Sequence, residues 1–174
     1  MNIMHRSRSD SWYTPDPILA LVRTVIGDIT FDPASCAEAN ERVRAGSFLT
    51  RDDDALVTPW PAGGSWFLNP PGGKRGGKSL AALFWKRLMA EKEKGSFDHA
   101  VFLGFSAEIL AVAQNYSLLS PLDFPICIPR KRIAFEGHEG KVSPSHSNVI
   151  VYVPGKVNAS ETFLRSFKGL GACR

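Results

Sequence analysis

The chain reads as an α/β protein built on a mostly parallel sheet with helices on both faces. Three observations predict it. Ser65–Leu68, His99–Phe105 and Ser147–Val153 are short, almost wholly apolar runs with the length and the β-branched and aromatic content of buried strands. Stretches with apolar residues at helical spacing lie before and between them, above all Pro15–Ile26 and Ser79–Lys94. Strands that alternate with helices in this way form parallel neighbours, because each parallel pairing needs a crossover connection.

In chain order, residues 1–11 are polar and read as a disordered leader, which leaves 12–174 as one domain. Pro15 and Pro17 open a helix that carries Ile18, Leu19, Leu21, Val22, Val25 and Ile26 and stops at Gly27. Ile29–Phe31 is a short strand that ends at Asp32-Pro33. Ser35 is placed to cap a helix from Cys36 to Val43, with Glu38 at the third position of a capping box. Ser47–Leu49 is a further short strand, and residues 58–64 form a Pro/Gly loop around Trp60. After the strand at Ser65–Leu68, the helix from Ser79 to Lys94 turns Leu80, Leu83, Phe84 and Leu88 inward and ends at Gly95. A helix over Ala107–Gln114, strands at Pro125–Ile128, Ile133–Phe135 and Ser147–Val153, and a helix over Ala159–Phe167 complete the expected set.

The 174 residues are 44% hydrophobic and 22% charged, as in a soluble globular domain, and the net charge of +4 mildly favours a polyanionic partner. The three cysteines are far apart and include no C-x-x-C pair, so neither a zinc site nor a disulfide framework is indicated, and a reducing cytoplasm is the expected setting. No apolar run reaches the roughly 20 residues that cross a bilayer, and the N-terminus lacks the apolar core of a signal peptide. His138 and His146 are lone loop histidines with no assigned role.

Two overlapping motifs carry the chemistry. Asn69-Pro70-Pro71 directly follows a strand; two prolines end it abruptly, since neither donates to a ladder and both fix φ near −65°. The Asn69 side chain and the Pro70 carbonyl are thereby held at the carboxyl end of a sheet, where open α/β sheets bind ligands. An amide oxygen and a carbonyl oxygen can grip both hydrogens of an exocyclic amine while its nitrogen attacks an electrophile. The plain alternative is a turn. Gly72–Ser79 competes for the same place, because it fits the phosphate-cradling pattern G-x-x-x-x-G-K-S between a strand and a helix. Such a loop also needs an acidic residue at the end of another strand, and Ala100–Leu103 runs instead into Gly104-Phe105-Ser106. Lys74, Arg75 and Lys78 suit phosphate contacts without any nucleotide, and Arg130, Lys131, Arg132 and Phe135 form a basic, aromatic edge suited to nucleic acid.

Six segments in one order along residues 12–153 resemble the phage-type DNA N6-adenine methyltransferase family: Trp12-Tyr13-Thr14-Pro15, Phe31-Asp32-Pro33-Ala34-Ser35, Asp53-Asp54-Ala55-Leu56 with Trp60, Phe67-Leu68-Asn69-Pro70-Pro71, Lys131-Arg132-Ile133-Ala134-Phe135, and Ser145–Val151. The resemblance implies a Rossmann-like class I methyltransferase fold that uses S-adenosylmethionine. It places Thr14 and Pro15 beside the methionine end of the cofactor, Asp32 and Pro33 beside its amino acid or ribose, and Asp54 near its adenine. It makes Asn69, Pro70 and Pro71 the catalytic segment that holds the target amine, with no metal. The family usually carries Tyr or Phe after the second proline to stack on the flipped base, whereas this chain has Gly72. Phe135, Trp85 or Tyr13 would then supply the ring, or the glycine loop would close over the base, or catalysis would be weak.

The leading expectation is therefore a phage-derived DNA adenine-N6 methyltransferase in the bacterial cytoplasm. The alternatives are methyl transfer to another nitrogen such as cytosine N4 or a protein glutamine, a P-loop NTPase, and a catalytically silent DNA-binding relative.

Overall fold

The computed structural model describes residues 12–137, the backbone of 142–143, and 146–174. The leader at 1–11, His138 and Ser145 lie outside the described residues. The elements in order are β1 (Trp12–Tyr13), α1 (Asp16–Ile26), β2 (Phe31–Asp32), α2 (Ala37–Val43), β3 (Ser47–Phe48), β4 (Ser65–Leu68), β5 (Lys74–Arg75), β6 (Lys78–Ser79), α3 (Leu80–Glu93), β7 (His99–Gly104), α4 (Ile109–Val112), β8 (Ile126–Pro129), β9 (Phe135–Gly137), β10 (Val142–Ser143), β11 (Val149–Pro154), α5 (Ser160–Phe167) and β12 (Gly171–Cys173). Seven strands form one sheet in the order β12-β8-β11-β7-β4-β2-β3.

The sheet is mixed rather than mostly parallel in its pairings. β3, β2, β4 and β7 are parallel neighbours, while β7–β11, β11–β8 and β8–β12 are antiparallel. Strands β2, β3, β4, β7 and β8 all point one way, and β11 and β12 run against them. The reversal has a local cause. The chain between β8 and β11 contains β9 and β10, with no helix among its described residues to carry it across the sheet as a parallel return requires.

Alternation along the central strands sorts the core into two layers. Trp66, Leu68, Ala100, Phe102, Val149, Val151 and Val153 pack on one face beneath Phe84, Trp85, Leu88 and Met89 of α3. Phe67, Val101, Leu103, Ile150 and Tyr152 pack on the other beneath Ile18, Leu19 and Val22 of α1 and Phe163 and Phe167 of α5. Trp66 centres the first layer, with ring centroids 5.6 Å from Phe31, 5.5 Å from Trp60 and 4.7 Å from Phe97.

Several expected elements shift. Cys36 rather than Ser35 caps α2, its Sγ accepting from the Ala39 N–H at 3.4 Å, while the Ser35 N–H is committed to the Leu49 carbonyl at 2.9 Å. The helix expected over Ala107–Gln114 is the short α4 followed by a 3₁₀ turn, Ala113–Asn115. The Ile133–Phe135 strand begins only at Phe135. β1, β5, β6, β10 and β12 are two- or three-residue strands with too few positions to show a period.

The loop before β9 is fixed to the sheet by one buried side chain. Asn148 Oδ1 accepts from the Ile133 N–H at 2.8 Å, and its Nδ2 donates to the Phe105 carbonyl at 2.7 Å. This amide sets the basic segment Arg130–Arg132 against the carboxyl end of β7. Asn148→Ala leaves a buried N–H and a partly buried carbonyl unpaired and is expected to lower stability by about 2 kcal/mol, read as a lower urea midpoint. An unchanged midpoint would mean that the loop is held by other contacts.

Candidate active site

Beyond β2 the chain passes through α2 to β3 on one side; beyond β4 it passes through α3 to β7 on the other. The connections diverge between β2 and β4, and the carboxyl ends of two such strands border the ligand crevice of an open α/β sheet. Those two ends carry Asp32-Pro33 and Asn69-Pro70-Pro71.

Asn69 is held from the N-terminal segment. Its Nδ2 donates to the Trp12 carbonyl at 3.3 Å and to Thr14 Oγ1 at 3.1 Å. A backbone carbonyl only accepts, so the NH2 group must face Trp12, and Oδ1 is turned the other way. Among the described residues nothing donates to Oδ1, and no backbone N–H donates to the Pro70 carbonyl. Pro70 is buried and Pro71 exposed. Thr14 is buried, and the half-buried Pro15 starts α1, its carbonyl accepting from Ile18 at 3.0 Å and Leu19 at 3.2 Å.

Asp32 is 2% exposed, and burial pushes its carboxyl from 3.8 up to about 7 against the opposing pull of the Ala34 N–H and the Ser35 side chain. The Ala34 N–H donates to Oδ1 at 2.9 Å. The next residue, Pro33, is also buried. No described cation pairs with this acid.

Asp54 and Arg75, expected to serve cofactor and DNA separately, meet each other. The guanidinium binds both carboxylate oxygens, at 2.8 and 2.6 Å, and this hydrogen bonding holds the Asp54 carboxyl below its ordinary range. Arg75 belongs to the β5–β6 hairpin. Gly76 and Gly77 form its tip with φ of +55° and +77°, the pair of positive values that a two-residue hairpin turn demands. Gly72–Ser79 is thus a hairpin that ends in a helix cap, with Ser79 Oγ accepting from the Ala82 N–H, and not a loop curled around an anion. Lys74 and Lys78 are exposed on it.

Phe135 is not a nucleic-acid-facing ring. It is fully buried, with its centroid 5.3 Å from Phe105. Trp85 is likewise buried, edge-on to Phe102 and Phe124. Of the three rings considered for stacking, only Tyr13 is partly exposed. Phe105, at the carboxyl end of β7, is a second half-buried ring at this rim that motif spacing did not single out.

Arg130, Lys131 and Arg132 are exposed just beyond the end of β8, at the same rim as Asn69, since β8 points the same way as β4. The structure adds two cations that the sequence reading missed. Arg165 and Lys168, with Arg130, Glu161, Leu164 and Gly171–Cys173, line a groove of about 720 Å³ beside β12. The sequence marks 159–167 only as a helix and assigns no role to its charged residues. A smaller depression of about 240 Å³ around Thr30, Ser47 and Pro61–Gly64 lies at the amino ends of β2 and β4, away from this rim. Among the described residues no group of three His, Cys, Asp or Glu side chains is placed to hold a metal ion, and no helix is long and apolar enough to cross a membrane.

The rim of this α/β sheet thus carries two acceptors and a buried acid at the point where its connections diverge. The chain belongs to the DNA N-6-adenine-methyltransferase (Dam) family, whose model matches residues 2–104. The match runs through β7 and includes the rims of both β2 and β4; the basic segment at 130–132 and the groove beside β12 lie beyond it. No curated protein and no solved structure matches the chain.

The buried Asp32 predicts a pH signature. Between about pH 4 and pH 7 the folded chain keeps a proton on Asp32 that the unfolded chain has lost, so this group makes stability fall as pH rises through that window. Above the window the full loss is on the order of 4 kcal/mol. Asp32→Asn, which can still accept from Ala34, is expected to remove this fall and to exceed the parent in stability at pH 8. Parallel urea curves at every pH would rule out a buried, protonated Asp32.

Proposed function

We propose that the protein transfers a methyl group from S-adenosylmethionine to the N6 amine of adenine in DNA, on a Rossmann-like class I methyltransferase fold. The observation that carries this reading is the orientation of Asn69. With its NH2 group engaged by Trp12 and Thr14, its oxygen and the Pro70 carbonyl are two acceptors at the rim of β4 without described donors. Adenine N6 is a poor nucleophile because its lone pair is delocalised into the ring. Two fixed acceptors that draw on its hydrogens move the nitrogen toward sp³ and return the lone pair to it. No strong base is needed, and fixed orientation does much of the remaining work.

The residues at the rim fit the cofactor. Asp32 is a buried acid with no described cationic partner, and a ligand ammonium would supply one. Thr14, Pro15, Asp32 and Pro33 would hold the amino-acid end, and Asp54 would reach the adenine once Arg75 moves to a phosphate. When bound, the cofactor supplies the electrophilic methyl. The base must come from a single strand or be flipped from a duplex, and Tyr13 or Phe105 would offer it a ring in place of the missing aromatic at Gly72. Lys74, Arg75, Lys78, Arg130, Lys131 and Arg132 would lie along the DNA backbone, extended by Arg165 and Lys168 of the groove. β12 is four strands from β4 in the sheet, roughly 19 Å, so these last cations would reach phosphates about half a helical turn from the target base.

Two outcomes test this. Asn69→Ala is expected to cut labelled-methyl transfer to mixed-sequence DNA by about a hundredfold or more while changing cofactor affinity only a few-fold; unchanged transfer would remove Asn69 from the reaction. Arg165→Ala with Lys168→Ala is expected to reduce the slope of log affinity against log salt by about 2, measured by anisotropy on a labelled duplex. An unaltered slope would place the DNA elsewhere on the surface.

A further inference from the structure

The C-terminal edge of the sheet places two cysteines opposite each other. β12 pairs antiparallel with β8, and Cys173 lies directly across from Cys127. The adjoining pair, Ile126 and Arg174, exchanges both backbone hydrogen bonds, at 2.9 and 3.1 Å. Pair types alternate along an antiparallel ladder, so Cys127 and Cys173 form a non-hydrogen-bonded pair, the kind with the closer side chains and a Cα separation of about 4.5 Å. A disulfide spans Cα separations of roughly 4.4–6.8 Å. Both side chains point to the α1/α5 face, where Cys127 is in the core and Cys173 packs against it. Cys127 is buried and Cys173 half-buried, so one thiol is within reach of a small reagent.

We propose that Cys127 and Cys173 are a modification site, a dithiol that closes reversibly into a cross-strand disulfide. The oxidant is a small-molecule disulfide. Cys173, as thiolate, attacks one of its sulfurs and releases the first thiol, leaving a mixed disulfide on Cys173. Cys127 then gives up its proton to water and attacks the Cys173 sulfur, and the second thiol leaves. Two cysteine thiols are oxidised, and one external disulfide is reduced to two thiols. Burial raises the Cys127 thiol, which makes Cys173 the entering group. The bond ties β12, which among the described residues pairs with β8 alone, to β8 and to the groove wall at Gly171–Cys173. The site is independent of the methyl-transfer reading.

The full chain is incubated with oxidised glutathione or with dithiothreitol, alkylated, and mapped by mass spectrometry. The oxidised sample is expected to lose about 2 Da, to yield a linked peptide pair containing Cys127 and Cys173, and to leave Cys36 fully alkylated. Its Tm is expected to rise by about 8 °C, and dithiothreitol is expected to reverse the rise. Cys36→Ser should retain the link and Cys173→Ser should abolish it. Alkylation of both Cys127 and Cys173 after oxidation, a glutathione adduct that persists on Cys173, or a link that includes Cys36 would each overturn the proposal; all three are read in the unmutated chain, whatever the variants do.

Discussion

A side-chain amide has two ends, and the site depends on which end faces the crevice. At Asn69 two hydrogen bonds make that choice. The Trp12 carbonyl can only accept, so it must be met by the NH2 group, and Thr14 Oγ1 takes the same group from beside it. The amide oxygen is left facing away from the N-terminal segment. The segment is itself anchored: β1 pairs with β9 through Trp12 and Gly137 and through Tyr13 and Glu136, and the next residues open α1 on the sheet. The orientation of one catalytic candidate is thus set by chain 55 residues or more away in sequence.

The same rim holds an acid that the fold disfavours in its charged form. Asp32 gains hydrogen bonds from Ala34 and Ser35, yet desolvation outweighs them. A cationic group placed beside a carboxyl in this state would restore the charged form and release a proton near neutral pH. Asp54 is the opposite case. It is half-buried and already bound in a two-toothed contact with Arg75. Water and salt screen a pair at the surface, so a phosphate can compete with Asp54 for Arg75.

Much of this was legible in the sequence because the relevant signals are local. Proline pairs end strands, apolar runs mark the central sheet, and Gly27 and Gly95 stop helices; β4, β7, α1 and α3 follow directly from them. The family was readable because its segments recur in order. What could not be read is what depends on partners distant in the chain. Nothing in Lys131–Phe135 says that Asn148 will hold it, or that Phe135 will turn inward against Phe105. The pairing of Asp54 with Arg75 joins two motifs that separately suggested two ligands. Strand direction also escaped, because two apolar runs look alike whether the chain between them crosses the sheet or doubles back.

The ties at the rim share one geometry. β2, β4, β7 and β8 all end at one rim, and each end is fastened to something other than its own strand. Asp32 is tied to the following turn, Asn69 to the N-terminal segment, and Phe105 to Asn148. Arg130 is tied through its backbone N–H to the Leu170 carbonyl, in the connection between α5 and β12. A rim built this way keeps its acceptors and cations in register although most of it is loop. The sheet supplies the spacing of about 4.8 Å between strand ends, and the side-chain ties fix which atoms face outward. Loss of a tie would therefore release the orientation it holds, that of the amide oxygen at Asn69 and that of the basic loop at Asn148.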